Sequence, residues 1–160
     1  MKYYELYEKY KRSAYFFYSE ENKIDRFDFF KGKQVASDDP IIYEIDKIDT
    51  YLEKYDYLPV ADGPPLVSKR FREVFDHLEK EGQIAYLSTK IIAENGEIND
   101  NYFAMVLLKI FKGIDFEKSV VKKDSFGTIQ IQKLFLTENF MFNSSICRLE
   151  EKESVMIVNE

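Results

Sequence analysis

The chain has 160 residues and a net charge of −6, with 45% hydrophobic and 32% charged residues. This composition is typical of a soluble globular protein, and the length suffices for one domain with a sizeable core. The acidic balance argues against direct nucleic-acid binding, which needs a basic surface. We expect a single domain over residues 1–160 that does not bind nucleic acid directly.

The sequence lacks the usual features of exported and membrane proteins. Cys147 is the one cysteine, so an internal disulfide cannot form and folding needs no oxidising compartment. Glu5 and Glu8 interrupt the N-terminal stretch, where a signal peptide would need an apolar run. The longest apolar run, residues 102–108, is too short to cross a bilayer. We expect a cytoplasmic protein without a membrane partner.

Six of the twelve tyrosines fall within the first 18 residues: Tyr3, Tyr4, Tyr7, Tyr10, Tyr15 and Tyr18. The run Tyr15-Phe16-Phe17-Tyr18 favours a strand, which predicts strands here with a polar turn near Lys11–Ser13. The rings can fill a core, which is the commoner use of aromatic residues. Alternatively, they can form a recognition surface for a peptide or small ligand.

Acidic residues concentrate in residues 38–62, which hold eight acids and two lysines, a net charge of −6. Apolar residues between Ile48 and Tyr55 recur with helical spacing, which predicts a short acidic helix over about residues 47–55. A local excess of negative charge attracts a partner with a basic surface. The candidate partner-binding residues are Asp38, Asp39, Glu44, Asp46, Asp49, Glu53 and Asp56.

The clearest helix signal follows Pro64 and Pro65, which cannot continue a preceding helix. Ser68 is a good N-cap residue, and Gly82 can adopt the left-handed conformation that ends a helix. Between them, apolar residues recur at i, i+3, i+4 and i+7. This pattern predicts an amphipathic helix over about residues 69–81 with an apolar stripe of Phe71, Val74, Phe75 and Leu78.

The chain after Gly82 has the pattern of strands. Asn95-Gly96 is typical of a hairpin turn, and the apolar run over residues 102–111 is typical of a strand covered on both faces. Further strands are predicted over Thr128–Leu136, Ile146–Leu149 and Val155–Val158. The predicted fold class is α+β, in which an antiparallel C-terminal sheet or meander packs with the central amphipathic helix and the short acidic helix.

Few residues could support catalysis or metal binding. His77 is the only histidine, so neither a catalytic triad nor a histidine-pair metal site can form within the chain. Asp115 and Glu117 could act as an acid–base pair if they were desolvated. We prefer a structural interpretation, in which Asp115 accepts hydrogen bonds in a turn and Glu117 pairs with a lysine. We therefore expect no enzyme, no cofactor and no metal.

Several short segments together resemble a bacterial protein family. They are Leu58 with Pro59, Pro65 to Val74, Tyr102 to Leu108, Ile114 to Ser119, and Arg148 to Val158. Over these segments the chain is similar to the immunity-protein domains of polymorphic toxin systems, formerly described as a domain of unknown function. The resemblance implies a protein that binds a cognate toxin and neutralises it by occlusion.

The acidic segment fits this implied function, because many toxins are nucleases with basic clefts that an acidic inhibitor can approach quickly. Two other functions stay open. One is a small-ligand or peptide-binding adaptor domain that uses the tyrosine-rich N-terminal part. The other is a hydrolase that uses Asp115 and Glu117.

Overall fold

A computed structural model describes residues 2–7, 10, 15–138, 140–141 and 143–160. This described part is mostly β, with 40% strand and 13% helix. The chain divides into two compact units. We call Tyr7–Leu108 the central unit, and Met1–Leu6 together with Lys109–Glu160 the terminal unit. That residues 1–160 form a single domain stays a prediction.

The strands are numbered in chain order: β1 (Tyr3–Glu5), β2 (Phe17–Tyr18), β3 (Ile41–Ile45), β4 (Tyr57–Leu58), β5 (Leu66–Ser68), β6 (Ile84–Ala93), β7 (Ile98–Asn99), β8 (Tyr102–Leu107), β9 (Ile110–Phe111), β10 (Val120–Lys123), β11 (Ile129–Lys133), β12 (Ile146–Leu149) and β13 (Lys152–Asn159). The helices are α1 (Lys69–Val74) and α2 (Asp76–Lys80). Two 3₁₀ helices, Arg26–Phe30 and Leu52–Lys54, complete the regular elements.

The central unit is built on a sheet with the strand order β2-β3-β6-β8-β5-β4, and β7 pairs with β6. Strands β3 and β6 run parallel, whereas the other named pairs are antiparallel. Strand β8 lies between β5 and β6 and is almost entirely buried, as its continuous apolar sequence predicts. The largest fully buried core side chains of this unit include Phe16, Phe29, Tyr43, Leu52, Leu58, Leu66, Ile91 and Tyr102.

The terminal unit contains a four-stranded sheet, ordered β1-β13-β12-β9, and the hairpin β10–β11. The predicted antiparallel meander is wrong in this unit, because β9 pairs with β12 in parallel. Its buried core comprises Ile114, Met141, Cys147, Leu149, Val155 and Ile157.

The predicted α+β fold class is wrong, because the described chain is a β-rich arrangement of several sheets with only two short helices. The predicted helix over residues 69–81 is interrupted at Phe75, whose φ of −104° and ψ of 17° are not helical. Helices α1 and α2 contact β5, β6 and β8 of their own unit. With six and five residues, α1 and α2 are too short to be stable alone, so they depend on their contacts with the sheet.

The predicted acidic helix over about residues 47–55 is also wrong, because the segment forms only the 3₁₀ helix Leu52–Lys54. The buried Tyr102 hydroxyl lies 2.5 Å from the carbonyl oxygen of Leu52 and 2.9 Å from that of Tyr55, and these two acceptors share its one proton. Helical spacing is a local signal, and this contact with a strand about fifty residues away is a tertiary interaction of the kind that overrides it.

Both predicted ends of the central helical region are confirmed. Ser68 Oγ accepts the Phe71 N–H at 3.1 Å, and Gly82 adopts a φ of +66°. The predicted apolar stripe is only partly buried, because Leu78 is 2% exposed whereas Val74 is 63% exposed. Val74 is the last residue of α1, which has no fully buried residue.

Leu78→Ala is expected to lower the free energy of unfolding by about 2–5 kcal/mol, since it removes a fully buried side chain. The matched control Val74→Ala is expected to change it by only about 0.5 kcal/mol, because that side chain is exposed. Urea denaturation of both variants measures the difference. Equal midpoints would show that the buried face has been assigned incorrectly.

Candidate partner-binding surface

The seven acids predicted to bind a partner lie before, on and after β3. Asp38 and Asp39 precede the strand, and Glu44 lies on it. Those that follow the strand are Asp46, Asp49, Glu53 and Asp56. Five residues of extended strand span about 16 Å. The acids at the two ends of β3 are therefore separate groups rather than one compact patch.

Two of the seven acids are neutralised by ion pairs. Asp39 pairs with Lys23 at 2.6 Å. Asp56 accepts two side-by-side hydrogen bonds from Arg70, with a closest ion-pair distance of 2.8 Å, and a further bond from the Ser68 hydroxyl. The Arg70 hydrogen bond is the main reason that the pKa of Asp56 lies below its ordinary value. Because Ser68 also caps α1, Asp56 anchors the start of that helix.

Asp56 is expected to stabilise the fold at neutral pH and to lose this contribution in acid. Its folded-state pKa lies below the ordinary value of 3.8, so the contribution is present above that value and disappears as the pH falls through the folded-state pKa. Urea midpoints of the wild type and Asp56→Asn, measured from about pH 6 down to about pH 2, should therefore converge. A gap between the two proteins that is independent of pH would contradict this role.

Asp49 also has structural contacts. Its carboxylate accepts hydrogen bonds from the Tyr10 hydroxyl, at 3.1 Å, and from the Tyr51 backbone N–H, at 2.8 Å. These bonds hold the loop after β3 against the ring of Tyr10. Besides Asp39, the exposed acids among the seven are Asp38, Glu44, Asp46 and Glu53.

A row of side chains crosses four strands on the exposed face of the central sheet. Phe17 on β2 lies opposite Glu44 on β3, Glu44 lies opposite Ile92 on β6, and Ile92 lies opposite Ile98 on β7. We call these four residues the outer row. Neighbouring strands lie about 4.8 Å apart, so the outer row spans about 14 Å. Phe17 is 55% and Ile98 is 57% exposed.

The outer row combines apolar contact area with one negative charge. Glu44 also accepts a hydrogen bond from the buried hydroxyl of Ser19, which orients its carboxylate. Sequence reasoning missed this row. The alternation of β3, in which Glu44 stands between the buried Tyr43 and Ile45, indicates an outward-facing position. The apolar neighbours of Glu44 depend on strand pairing between distant segments, which the local sequence does not reveal.

The tyrosine-rich N-terminal part is divided between core and surface. The rings of Tyr3, Tyr10 and Tyr18 lie 5.1 Å from Phe140, 4.6 Å from Tyr55 and 5.8 Å from Tyr43, respectively. The exposed tyrosines of this part are Tyr4, Tyr7 and Tyr15. The predicted turn near Lys11–Ser13 lies outside the described residues. Half of the six rings therefore pack against a core of their own unit, and the other half are exposed.

Asp115 has the predicted role of a hydrogen-bond acceptor in a turn. Its carboxylate accepts the backbone N–H groups of Glu117 and Lys118, each at 3.1 Å, and lies 3.0 Å from Lys118 Nζ. The predicted pairing of Glu117 with a lysine does not involve the adjacent Lys118, because Lys118 pairs with Asp115. The hydrogen bond from the Lys118 side chain is the main cause that lowers the pKa of Asp115. A general acid needs the opposite shift.

The C-terminal motif of the resemblance also has a structural role. The carboxylate of Glu151 accepts the backbone N–H groups of Gly113 and Ile114, at 3.1 and 3.2 Å. A Cβ atom at Gly113 would lie only 2.6 Å from the Phe140 ring, so this close packing requires glycine. Glu151 thus fixes the chain directly before the Ile114–Ser119 motif.

The remaining candidate groups do not form a reactive centre in the described part of the chain. His77 is exposed on α2. Cys147 is buried, and this burial raises the pKa of its thiol to about 12, which keeps it protonated. Among the described residues, no three His, Cys, Asp or Glu side chains lie together in a way that could hold a metal ion. No helix of the described chain is long and apolar enough to span a membrane.

Comparison with known proteins assigns the chain to a family. The model of the immunity protein family Imm11 matches residues 13–159. This range includes all of the segments that carried the resemblance in the sequence. A search of curated proteins finds no match. The chain therefore belongs to the Imm11 family of immunity proteins.

Proposed function

We propose that this chain is a cytoplasmic immunity protein of a polymorphic toxin system, which binds its cognate toxin and neutralises it by occlusion. The observation that carries the proposal is the family match over residues 13–159. Occlusion requires a stable complementary surface rather than a reaction centre. The structural roles of Asp115 and the buried Cys147 agree with this mode of action.

The proposed toxin-binding surface is the outer row together with the exposed acids on either side of β3. Its apolar members, Phe17, Ile92 and Ile98, offer contact area that becomes buried on binding. The exposed acids Asp38, Asp46 and Glu53 provide a negative field around that area. Such a field increases the rate of encounter with a basic partner.

A basic toxin surface follows from this charge distribution. Residues 38–62 carry a net charge of −6, equal to that of the whole chain. The pairs of Asp39 with Lys23 and Asp56 with Arg70 reduce the local field without reversing it. A nuclease toxin has a cleft that binds phosphates, and carboxylates of an inhibitor can occupy the same positive sites.

Co-expression tests the proposed function. Cells that express the toxin encoded by the gene adjacent to that of this chain should survive when the chain is produced with it and should die when it is absent. A folded immunity protein from an unrelated toxin system is the control for specificity. Death of the cells despite full production of this chain would contradict protection against that toxin.

A further inference from the structure

The hairpin β10–β11 of the terminal unit presents an unusual turn. Its strands pair through Val121 with Ile131 and through Lys123 with Ile129. Ile131 packs against the core of the terminal unit, which anchors one face of the hairpin. At the opposite end, the turn carries Phe126, whose side chain is 93% exposed. Turns favour Gly, Asn, Asp, Ser and Pro, and Phe126 is the most exposed large hydrophobic residue in the described part of the chain.

The turn that carries Phe126 is ordered by the chain itself. One carboxylate oxygen of Asp124 accepts the backbone N–H groups of Phe126 and Thr128, each at 2.9 Å. Gly127 adopts a φ of +82°, which a residue with a side chain rarely does, and its N–H donates to the Asp124 carbonyl oxygen at 3.0 Å. The backbone of the turn is thus ordered before any partner arrives, so only the Phe126 side chain loses freedom on binding.

The hairpin also differs in charge from the rest of the chain. Residues 120–133 hold three lysines and one aspartate, a net charge of +2 in a chain of −6. Lys133 lies over the ring of Phe135 at 4.7 Å. The lysines next to the turn, Lys122 and Lys123, are both exposed. An exposed aromatic residue therefore has two exposed lysines within four positions of it in the chain.

We propose that Phe126 is a second, separate anchor on the cognate toxin, which enters an apolar pocket with an acidic rim. Lys122 and Lys123 approach the carboxylates of this rim. The proposal rests on the proposed function, since it assigns the same partner. The charge of the hairpin is opposite to that of the proposed toxin-binding surface of the central unit, so the hairpin complements a different, acidic part of the toxin.

Aromatic residues, including phenylalanine, are enriched at protein interfaces, and hot-spot side chains fill well-packed pockets on the partner. Phe126 contributes little to the stability of the fold, because its side chain is 93% exposed. Its loss should therefore change binding and leave folding intact. Hot-spot contacts act mainly on the rate of dissociation, whereas the acids of the central unit act mainly on the rate of association.

Binding kinetics with the purified toxin encoded by the adjacent gene test this anchor. Phe126→Ala should weaken the affinity about tenfold or more, chiefly by faster dissociation. Phe126→Leu should restore part of the affinity, and the neighbouring Ser125→Ala should bind like the wild type. Lys122→Glu combined with Lys123→Glu should also weaken binding. Unchanged thermal unfolding of each variant confirms that the fold is retained.

The outcomes separate this anchor from the proposed function. If the wild-type chain binds the toxin and Phe126→Ala binds equally well, the anchor is wrong and the proposed function stands. If the wild-type chain does not bind, both are wrong. Binding of the chain to anionic lipid vesicles tests whether Phe126 inserts into a membrane instead of a toxin pocket. Vesicle binding that is lost in Phe126→Ala, with toxin affinity unchanged, would also overturn the anchor.

Discussion

Tyr102→Ala is expected to lower the free energy of unfolding by about 3–5 kcal/mol, which is the range for truncation of a buried aromatic residue. Tyr102 lies on β8 and is 2% exposed. Its hydroxyl donates to the carbonyl oxygens of Leu52 and Tyr55, so the side chain also fixes the loop that carries several of the predicted acids. The variant should therefore lose both core packing and the conformation of this loop.

Two further variants separate the effects at Tyr102. Tyr102→Phe keeps the ring and leaves two buried carbonyls without the hydroxyl, so it should cost about 1–3 kcal/mol. Tyr51→Ala removes an exposed tyrosine from the same loop and should cost only about 0.5 kcal/mol. Guanidinium denaturation gives all three values. A Tyr102→Ala midpoint equal to that of Tyr51→Ala would show that Tyr102 does not hold the loop.

The combined reversal Asp38→Lys, Asp46→Lys and Glu53→Lys is expected to lower the rate of association with the toxin about tenfold or more. Each reversal adds two units of charge, so the net charge changes from −6 to 0. The side chains of all three residues are exposed. The fold should therefore be retained, and the dissociation rate should change less than the association rate.

A matched triple reversal distinguishes local steering from net charge. Glu117→Lys, Glu138→Lys and Glu153→Lys bring the chain to the same net charge, but these exposed residues belong to the terminal unit. This control should associate almost as fast as the wild type, and the wild-type association rate should fall as salt is added. Equal association rates for the two triple variants would place the toxin-binding surface away from β3.

Local signals in the sequence predicted several elements correctly. The start and the end of the central helical region were predicted from Ser68 and Gly82. A hydroxyl cap and a left-handed glycine each act on backbone groups only a few residues away, so the local sequence suffices. The continuous apolar run of β8 predicted a buried strand, because both faces of a central strand are covered. The turn around Asp115 followed from the tendency of aspartate to bind nearby backbone N–H groups.

The errors come from contacts between distant residues. Tyr102 is about fifty positions from Leu52, so its contact with this loop could not be read from the spacing of residues 47–55, which predicts an acidic helix. In the central helical region, the periodic stripe did not reveal the break at Phe75 or the exposure of Val74. These two errors produced the wrong fold class.

The candidate binding surface was predicted only in part. Composition revealed the acidic segment, because charge can be counted in the sequence. It did not reveal that Lys23 and Arg70, which lie outside the segment, neutralise Asp39 and Asp56. Nor did it reveal the outer row, whose apolar members come together with Glu44 only through the strand register.

The most direct test of the account is a titration of the purified toxin with this chain while the activity of the toxin is measured. Neutralisation by occlusion predicts that activity falls linearly and ends at one equivalent of the chain, with a stoichiometric complex on size-exclusion chromatography. Full loss of activity at a small fraction of an equivalent would indicate a catalytic mode of protection. That result, or undiminished activity in excess of the chain, would contradict neutralisation by binding.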